Sequence, residues 1–295
     1  MTADTVTDVF EEHRPVLLGV AYRMLGRVAD AEDVVQEAWL RWAGADRTEV
    51  REPRAYLVRI TTRLAIDRLR QVKARGETYV GPWLPEPYVT DFGDTVPDTA
   101  ERAVLADSVS LAVLVVLESL SPLERAVFVL REAFGYPYAD IAAMLDRGEP
   151  AVRQLAGRAR MHVEERRPRY QVDPVQRRDL TERFLAAAGE GDLEGLMSLL
   201  APDVRLVGDS GGKAKAPLRV LETADKVGRF MIGVAEKGGI PDLSFRFLEL
   251  NAGPAILVLS GDKPDSVFQL DVLDGRIQSV YIIRNPDKLR SLAAL

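Results

Sequence analysis

Two arginine-dense runs are where this chain could most plainly do chemistry. Arg51, Arg54, Arg59, Arg63, Arg68, Arg70, Lys73 and Arg75 form one, and Arg147, Arg153, Arg158, Arg160, Arg166, Arg167 and Arg169 the other. Guanidinium forks bind phosphates and base edges, so such runs point to nucleic acid. The net charge is −6, but local stripes rather than the total set the field that a nucleic acid meets. A different chemistry sits in "DAEDVVQEAWLRW". Asp30, Asp33 and Glu37 offer carboxylates there, beside the apolar Trp39 and Leu40.

The stretch "GDSGGKAKA" is Gly-rich with a lysine, yet it is no P-loop. Val207 stands where the first glycine belongs, and Ala214 follows Lys213 in place of Ser or Thr. The chain has no cysteine and two histidines, His13 and His162, far apart. Thiol chemistry, disulfides and histidine-based triads or metal sites are therefore not expected, and no metal or cofactor is assigned. The N-terminus lacks a basic, apolar leader and no apolar run approaches a membrane span, so a cytoplasmic protein without membrane contact is the expectation.

The elements that must position these groups are legible from periodicity. Residues 5–25 read as an amphipathic helix. In the next helix Asp30 is a candidate N-cap, with Ala31, Val34, Val35, Ala38, Trp39 and Trp42 on one buried face. "PRAYLVRITTRLAIDRLRQVKAR" is a third helix, with Tyr56, Leu57, Ile60, Leu64 and Leu69 toward the core. "SPLERAVFVLREAF" opens on a capping signal, Ser121, Pro122 and Glu124. Residues 138–163 read as helix, tight turn, helix. Gly148 is a plausible cap of the second helix, with Val152, Ala156, Ala159 and Val163 inward and Arg153, Gln154, Gly157 and Arg158 outward. After "RRPRYQVDP" the pattern changes to a helical pair, five β-rich runs and a helix near 221–236. Between the helical segments lies "VGPWLPEPYV", whose prolines favour an extended strip and whose Trp83, Leu84 and Tyr88 are apolar area that water should not keep.

The ordered motifs "LGRVADAEDVVQEAWLRW", "PRAYLVRITTRLAIDRLR" and "LSPLERAVFVLREAFGYPYADIAAML…AVRQLAGRAR" resemble the extracytoplasmic-function (group IV) sigma factors of bacterial RNA polymerase. The resemblance implies a multidomain protein. Two all-α sigma domains are expected, region 2 at 1–76 and a region 4 helix-turn-helix at 104–168, joined by a linker at 77–103. It implies core RNA polymerase as partner through Asp30, Asp33, Glu37, Trp39 and Leu40. It implies −10 promoter DNA at Arg54, Tyr56, Arg59, Arg63 and Arg70, with the preceding loop taking an unpaired base, and −35 DNA at Arg153, Gln154 and Arg158. Arg63 stands where many relatives carry asparagine. "AVRQL" departs from the usual run ending Ser-Arg, so both promoter preferences are expected to differ from those of common relatives.

Residues 172–295 are similar to the SnoaL-like members of the NTF2-like cone fold, an α+β domain. "WLPEP" (Trp83, Leu84, Pro85, Glu86, Pro87), the loop Asp209, Gly211, Gly212 and Lys213, and "NPDKL" (Asn285, Pro286, Asp287, Lys288, Leu289) match the sigma J-like group with such a fused domain. The likeness implies regulation in cis, by contact between the fused domain and the sigma core. The strip is expected to dock on the third domain near these two motifs. The alternative is a small-molecule sensor or an isomerase- or cyclase-like enzyme with an unknown ligand in the cone. Its base would then be Asp209 or Asp271, since no histidine lies in that domain.

Overall fold

Apolar residues at helical spacing build the first unit. The computed structural model describes residues 3–46, 50–74, 79–89, 110–164, 174–237 and 241–293. The chain divides into two units, Met1–Glu77 with Phe92–Arg167, and Thr78–Asp91 with Pro168–Leu295.

In the helical unit, α1 (Ala3–Leu25), α2 (Val28–Gly44) and α3 (Pro53–Ala74) pack on one another. The inner face of α2 is Ala31, Val34, Val35, Ala38 and Trp42. Trp39 is only half-buried, edge-on to Phe10 at 5.1 Å. Asp30 is not the cap: α2 begins at Val28, Arg27 holds the cap position without a side-chain bond, and Asp30 lies in the first turn. An acid there favours the helix through its dipole. Tyr56, Ile60 and Leu69 of α3 are half-buried, while Leu57, Val58, Thr61, Thr62 and Leu64 to Ile66 are buried.

Next come α4 (Leu111–Leu117), α5 (Pro122–Phe128), a π-helical turn (Val129–Ala133), α6 (Tyr138–Leu145) and α7 (Glu149–Glu164). Ser121 and Glu124 form the reciprocal capping box. Asp146 makes the turn between α6 and α7 with φ 55°, a left-handed conformation that a short polar residue tolerates. The upstream part of the helix expected at 103–120 lies outside the described residues, as do Arg75, Arg166, Arg167 and Arg169.

The second unit is α+β. α8 (Pro174–Glu190), α9 (Leu193–Leu199) and α10 (Ala224–Glu236) cover a six-stranded sheet of order β2-β1-β6-β5-β4-β3. The strands are β1 (Leu200–Asp209), β2 (Leu221–Glu222), β3 (Leu243–Leu250), β4 (Gly253–Ser260), β5 (Lys263–Leu273) and β6 (Arg276–Ile283). Residues 221–222, expected to be helical, are instead the short strand β2. β1 pairs parallel with β6, and the other pairs are antiparallel. Alternate strand residues (Val204, Leu206, Leu270, Val272, Val280, Ile282) meet Phe184, Leu196, Val227 and Met231 of the helices in one core. The unit also includes the strip Tyr79–Val89, in which Leu84, Pro85, Glu86 and Pro87 are buried, so residues 79–89 are part of a packed domain and not a free linker.

Candidate functional site

The second helix of the helix-turn-helix is held by Val152, Ala156, Ala159 and Val163, all buried. That leaves Arg153, Gln154, Gly157 and Arg158 exposed along its outer face. Each arginine on that face has a carboxylate partner. Arg153 donates to Glu149 at 2.5 and 3.0 Å, Arg158 to Glu124 at 2.9 Å, and Arg160 to Glu132 at 2.9 Å. Hydrogen bonds from Ser121, with Arg158, hold the Glu124 carboxyl below the usual carboxylate range. The Arg153–Glu149 and Arg160–Glu132 pairs are exposed, so they are worth little and exchange readily, whereas Glu124 is largely buried and also held by Ser121.

The basic face of α3 is partly engaged. Tyr56 packs between Trp42, 5.8 Å between ring centroids, and the Arg59 guanidinium, 5.2 Å away. Arg63 is exposed, and its Nε donates to the Met144 carbonyl of α6 at 2.9 Å. Arg54 is exposed, and Arg70 is exposed beside Asp67 at 3.5 Å. A cavity of about 450 Å³ lies between Arg51, Tyr56 and Arg59 on one side and Asp140, Ala143 and Met144 of α6 on the other. Sequence reading missed the residue that ties α5 to the end of α1 and to the residue that follows α4. Arg125, 3% exposed, donates to the Met24 carbonyl at 2.7 Å and to Glu118 at 2.6 Å. A cation there satisfies a carbonyl of the last turn of α1 and opposes the negative end of its dipole.

On α2, Asp33 and Glu37 are exposed and Leu40 is 64% exposed. Asp30 accepts from Arg68 at 2.9 Å, a bond that raises the Arg68 pKa. Glu37 pairs with Arg41 at 2.7 Å. Half-buried Trp39 beside exposed Leu40 leaves apolar area flanked by acids.

In the second unit the three motifs converge on one carboxylate. Asp209, 0% exposed, accepts from the Tyr79 hydroxyl at 2.5 Å on Oδ1, and from Leu84 N–H at 2.8 Å and Lys288 Nζ at 2.7 Å on Oδ2. Lys288, 2% exposed, also donates to the Leu84 carbonyl, and its ammonium lies 4.0 Å from the Trp83 ring centroid. Asn285 donates from Nδ2 to the Tyr79 hydroxyl at 2.8 Å, and accepts from Asp287 N–H at 3.0 Å, capping the turn Pro286–Lys288. Lys213 pairs with Asp287; this bond, with Arg290, holds the Asp287 carboxyl below its usual range. Gly211 turns the loop with φ 56°, and a Cβ there would stand 2.5 Å from Asn285 Nδ2. Leu289 is buried and Pro286 exposed. At the far end of the strip Tyr88 N–H donates to Asn251 Oδ1 at 3.1 Å, Asn251 N–H donates to the Tyr88 carbonyl at 2.9 Å, and Val89 bridges to Leu250. Tyr79 and Asn251 were not foreseen.

With three donors on its two oxygens Asp209 has no free role as a base. Asp271 differs: burial pushes its carboxyl up to about 6, against the lowering effects of Arg177 and the Val272 N–H. Neighbouring Tyr281 is pushed up to about 12 by burial and by Asp271.

Residues 9–75 match Sigma-70 region 2, and residues 110–163 match Sigma-70 region 4. The chain is 41% identical over 288 residues to the ECF RNA polymerase sigma factor SigJ of Mycobacterium tuberculosis, covering 95% of this chain and 91% of that protein. It is 33% identical over 294 residues to the probable ECF RNA polymerase sigma factor SigI of the same species, covering 99% and 97%. The crystal structure of Mycobacterium tuberculosis SigJ superposes with a TM-score of 0.77 at 38% identity, covering 96% of this chain and 98% of that one. Among the described residues no helix is long and apolar enough to cross a membrane. A helix-turn-helix with an arginine-lined outer face, matches to both sigma regions and likeness over nearly the whole chain to these proteins lead to one conclusion: the chain belongs to the ECF RNA polymerase sigma factors, which direct transcription initiation.

Proposed function

We propose that the C-terminal α+β domain controls this sigma factor in cis by holding the segment between regions 2 and 4. The observation that carries the reading is the buried Asp209–Lys288 pair closing over Leu84. The strip lies in sequence between region 2 and region 4, directly after α3. Holding the strip thus restricts how far region 2 can move from region 4 when each seeks its promoter element.

In this reading α7 meets the −35 element through Arg153, Gln154 and Arg158. Region 2 meets the −10 element through Arg54, Tyr56, Arg59, Arg63 and Arg70, once Arg63 leaves the Met144 carbonyl and α6 withdraws. Asp30, Asp33, Glu37, Trp39 and Leu40 dock on core RNA polymerase, Asp30 exchanging Arg68 for a polymerase cation. The work is binding, and no catalytic step is assigned. The test is run-off transcription with core polymerase and promoters of the protein's own operon. Full-length protein, a chain ending near residue 170 and a chain ending before Asn285 are compared. The two truncations are expected to initiate at levels different from the full chain. Equal initiation by all three would refute control in cis.

A second reading, a ligand or acid–base site in the C-terminal domain, rests on Asp271 and its raised pKa. Ligand-dependent melting that disappears in Asp271→Asn would establish it.

A further inference from the structure

Tyr138, the first residue of α6, touches more of the DNA-facing arginines than any acid does. The Arg153 guanidinium lies 4.7 Å from its ring centroid and that of Arg131 lies 4.8 Å away. Arg160 donates from Nη2 to its hydroxyl at 2.9 Å. Arg153 and Arg160 sit two turns apart on one side of α7, about 10 Å along its axis. Tyr138 spans that interval, its ring against one arginine and its hydroxyl against the other. Arg131 is in turn fixed by its bond to the Tyr136 carbonyl at 3.1 Å.

We propose that Tyr138 is the positioning residue of the −35-reading surface: it pre-arranges Arg153 and Arg160 for promoter DNA. This rests on the reading of α7 as the −35 helix. The physical reason lies in the two kinds of contact. A guanidinium stacked on a ring keeps its in-plane N–H groups free for a base edge or phosphate. A guanidinium paired with a carboxylate has donors occupied, and DNA must displace the acid. The ring therefore orders Arg153 without competing for it, whereas Glu149 and Glu132 hold the same arginines in an exchangeable resting state. Ordering a long side chain before binding removes a cost otherwise met on the DNA, worth about two- to tenfold in affinity per arginine. The two atoms of contact divide the labour. The ring governs Arg153, which faces outward at the front of α7 where bases are read. The hydroxyl governs Arg160, farther along, where a phosphate is the natural partner.

The experiment measures holoenzyme binding to promoter fragments with an intact or a scrambled −35 element, using full-length protein with unchanged circular dichroism. Tyr138→Leu and Tyr138→Gln both remove the ring. Each is expected to lower the intact-to-scrambled discrimination about five- to tenfold, and to add little when combined with Arg153→Ala. Tyr138→Phe keeps the ring, so discrimination is expected to stay near wild type while binding weakens about two- to threefold on both fragments. Should the ring-less variants fail to fold, Tyr138→Phe carries the test: equal affinity on both fragments relative to wild type, or selective loss of discrimination, overturns the division of roles. If Arg153→Ala abolishes discrimination while the ring-less variants retain it, the Tyr138 proposal is wrong and the −35 reading stands. If Arg153→Ala leaves discrimination intact, the reading of α7 itself fails and the proposal falls with it.

Discussion

Two sets of ion pairs in this molecule have opposite physics. On α7 two pairs lie in the open: Arg153 and Glu149 are 60% and 39% exposed, and Arg160 and Glu132 are 43% and 39%. In the C-terminal unit Lys288 and Asp209 are 2% and 0% exposed. Exposed pairs contribute about 0–1 kcal/mol and trade partners easily. Removing one member of a buried pair leaves an uncompensated charge and costs about 3–5 kcal/mol. The lesson is a division of purpose. The arginines proposed to meet DNA, Arg153 and Arg160, are paired weakly at the surface. The carboxylate that anchors the strip is paired where water cannot replace its partner.

The sharpest way to break the contrast is Lys288→Met. It should destabilise the C-terminal unit by about 3–5 kcal/mol in urea melts, with new protease cleavage within residues 79–89. Loss below 1 kcal/mol would place this pair in the same class as those on α7.

Asp271 gives the next effect, through pH. Its folded pKa is raised to about 6, so between about pH 4 and 6 the folded chain binds more protons than the unfolded one. Stability therefore falls as pH rises through that window and stays lower above it, by up to about 3 kcal/mol. Asp271→Asn should flatten the pH dependence and raise the melting temperature at neutral pH.

Arg125 tests an intermediate case, a buried cation bonded to a main-chain carbonyl. Arg125→Met strands the Met24 carbonyl and should cost about 1–3 kcal/mol. The loss should be read in urea melts and as faster hydrogen exchange in the last turn of α1. The smallest effect belongs to Glu132→Gln. Its pair with Arg160 is exposed, so stability should change by less than about 0.5 kcal/mol, while promoter affinity rises about two- to threefold at low salt and converges with wild type as salt increases.

Which parts of this were legible in the residues follows from the range of the interactions. Helical periodicity located α1 to α3 and the inward face of α7, because that signal repeats within a few residues. The cap of α2 was misplaced onto Asp30, since an acid in the first turn and an acid at the cap look alike without backbone geometry. The strip's prolines and Trp83 indicated an extended, sticky segment. Its bonds to Asp209 and Lys288 join residues more than a hundred positions apart, and no local pattern reports them. Tyr79 escaped notice because one aromatic beside a tryptophan adds nothing to a pattern. The signal that could have found it is that "TYVGPWLPEPY" carries a tyrosine on both flanks of the proline run. Arg125 and Tyr138 were passed over for a related reason. Each looks like an ordinary helix-end residue until its partners on other helices are known.

The most direct test of the central claim pairs two readings on one variant. Lys288→Met is assayed for protease cleavage within 79–89 and for run-off transcription with core polymerase from the operon promoters. If the C-terminal domain restrains the sigma regions by holding the strip, cleavage and initiation rise together relative to wild type. Cleavage that rises while initiation stays at the wild-type level would show that the buried pair anchors the strip but does not govern transcription, and would contradict the account.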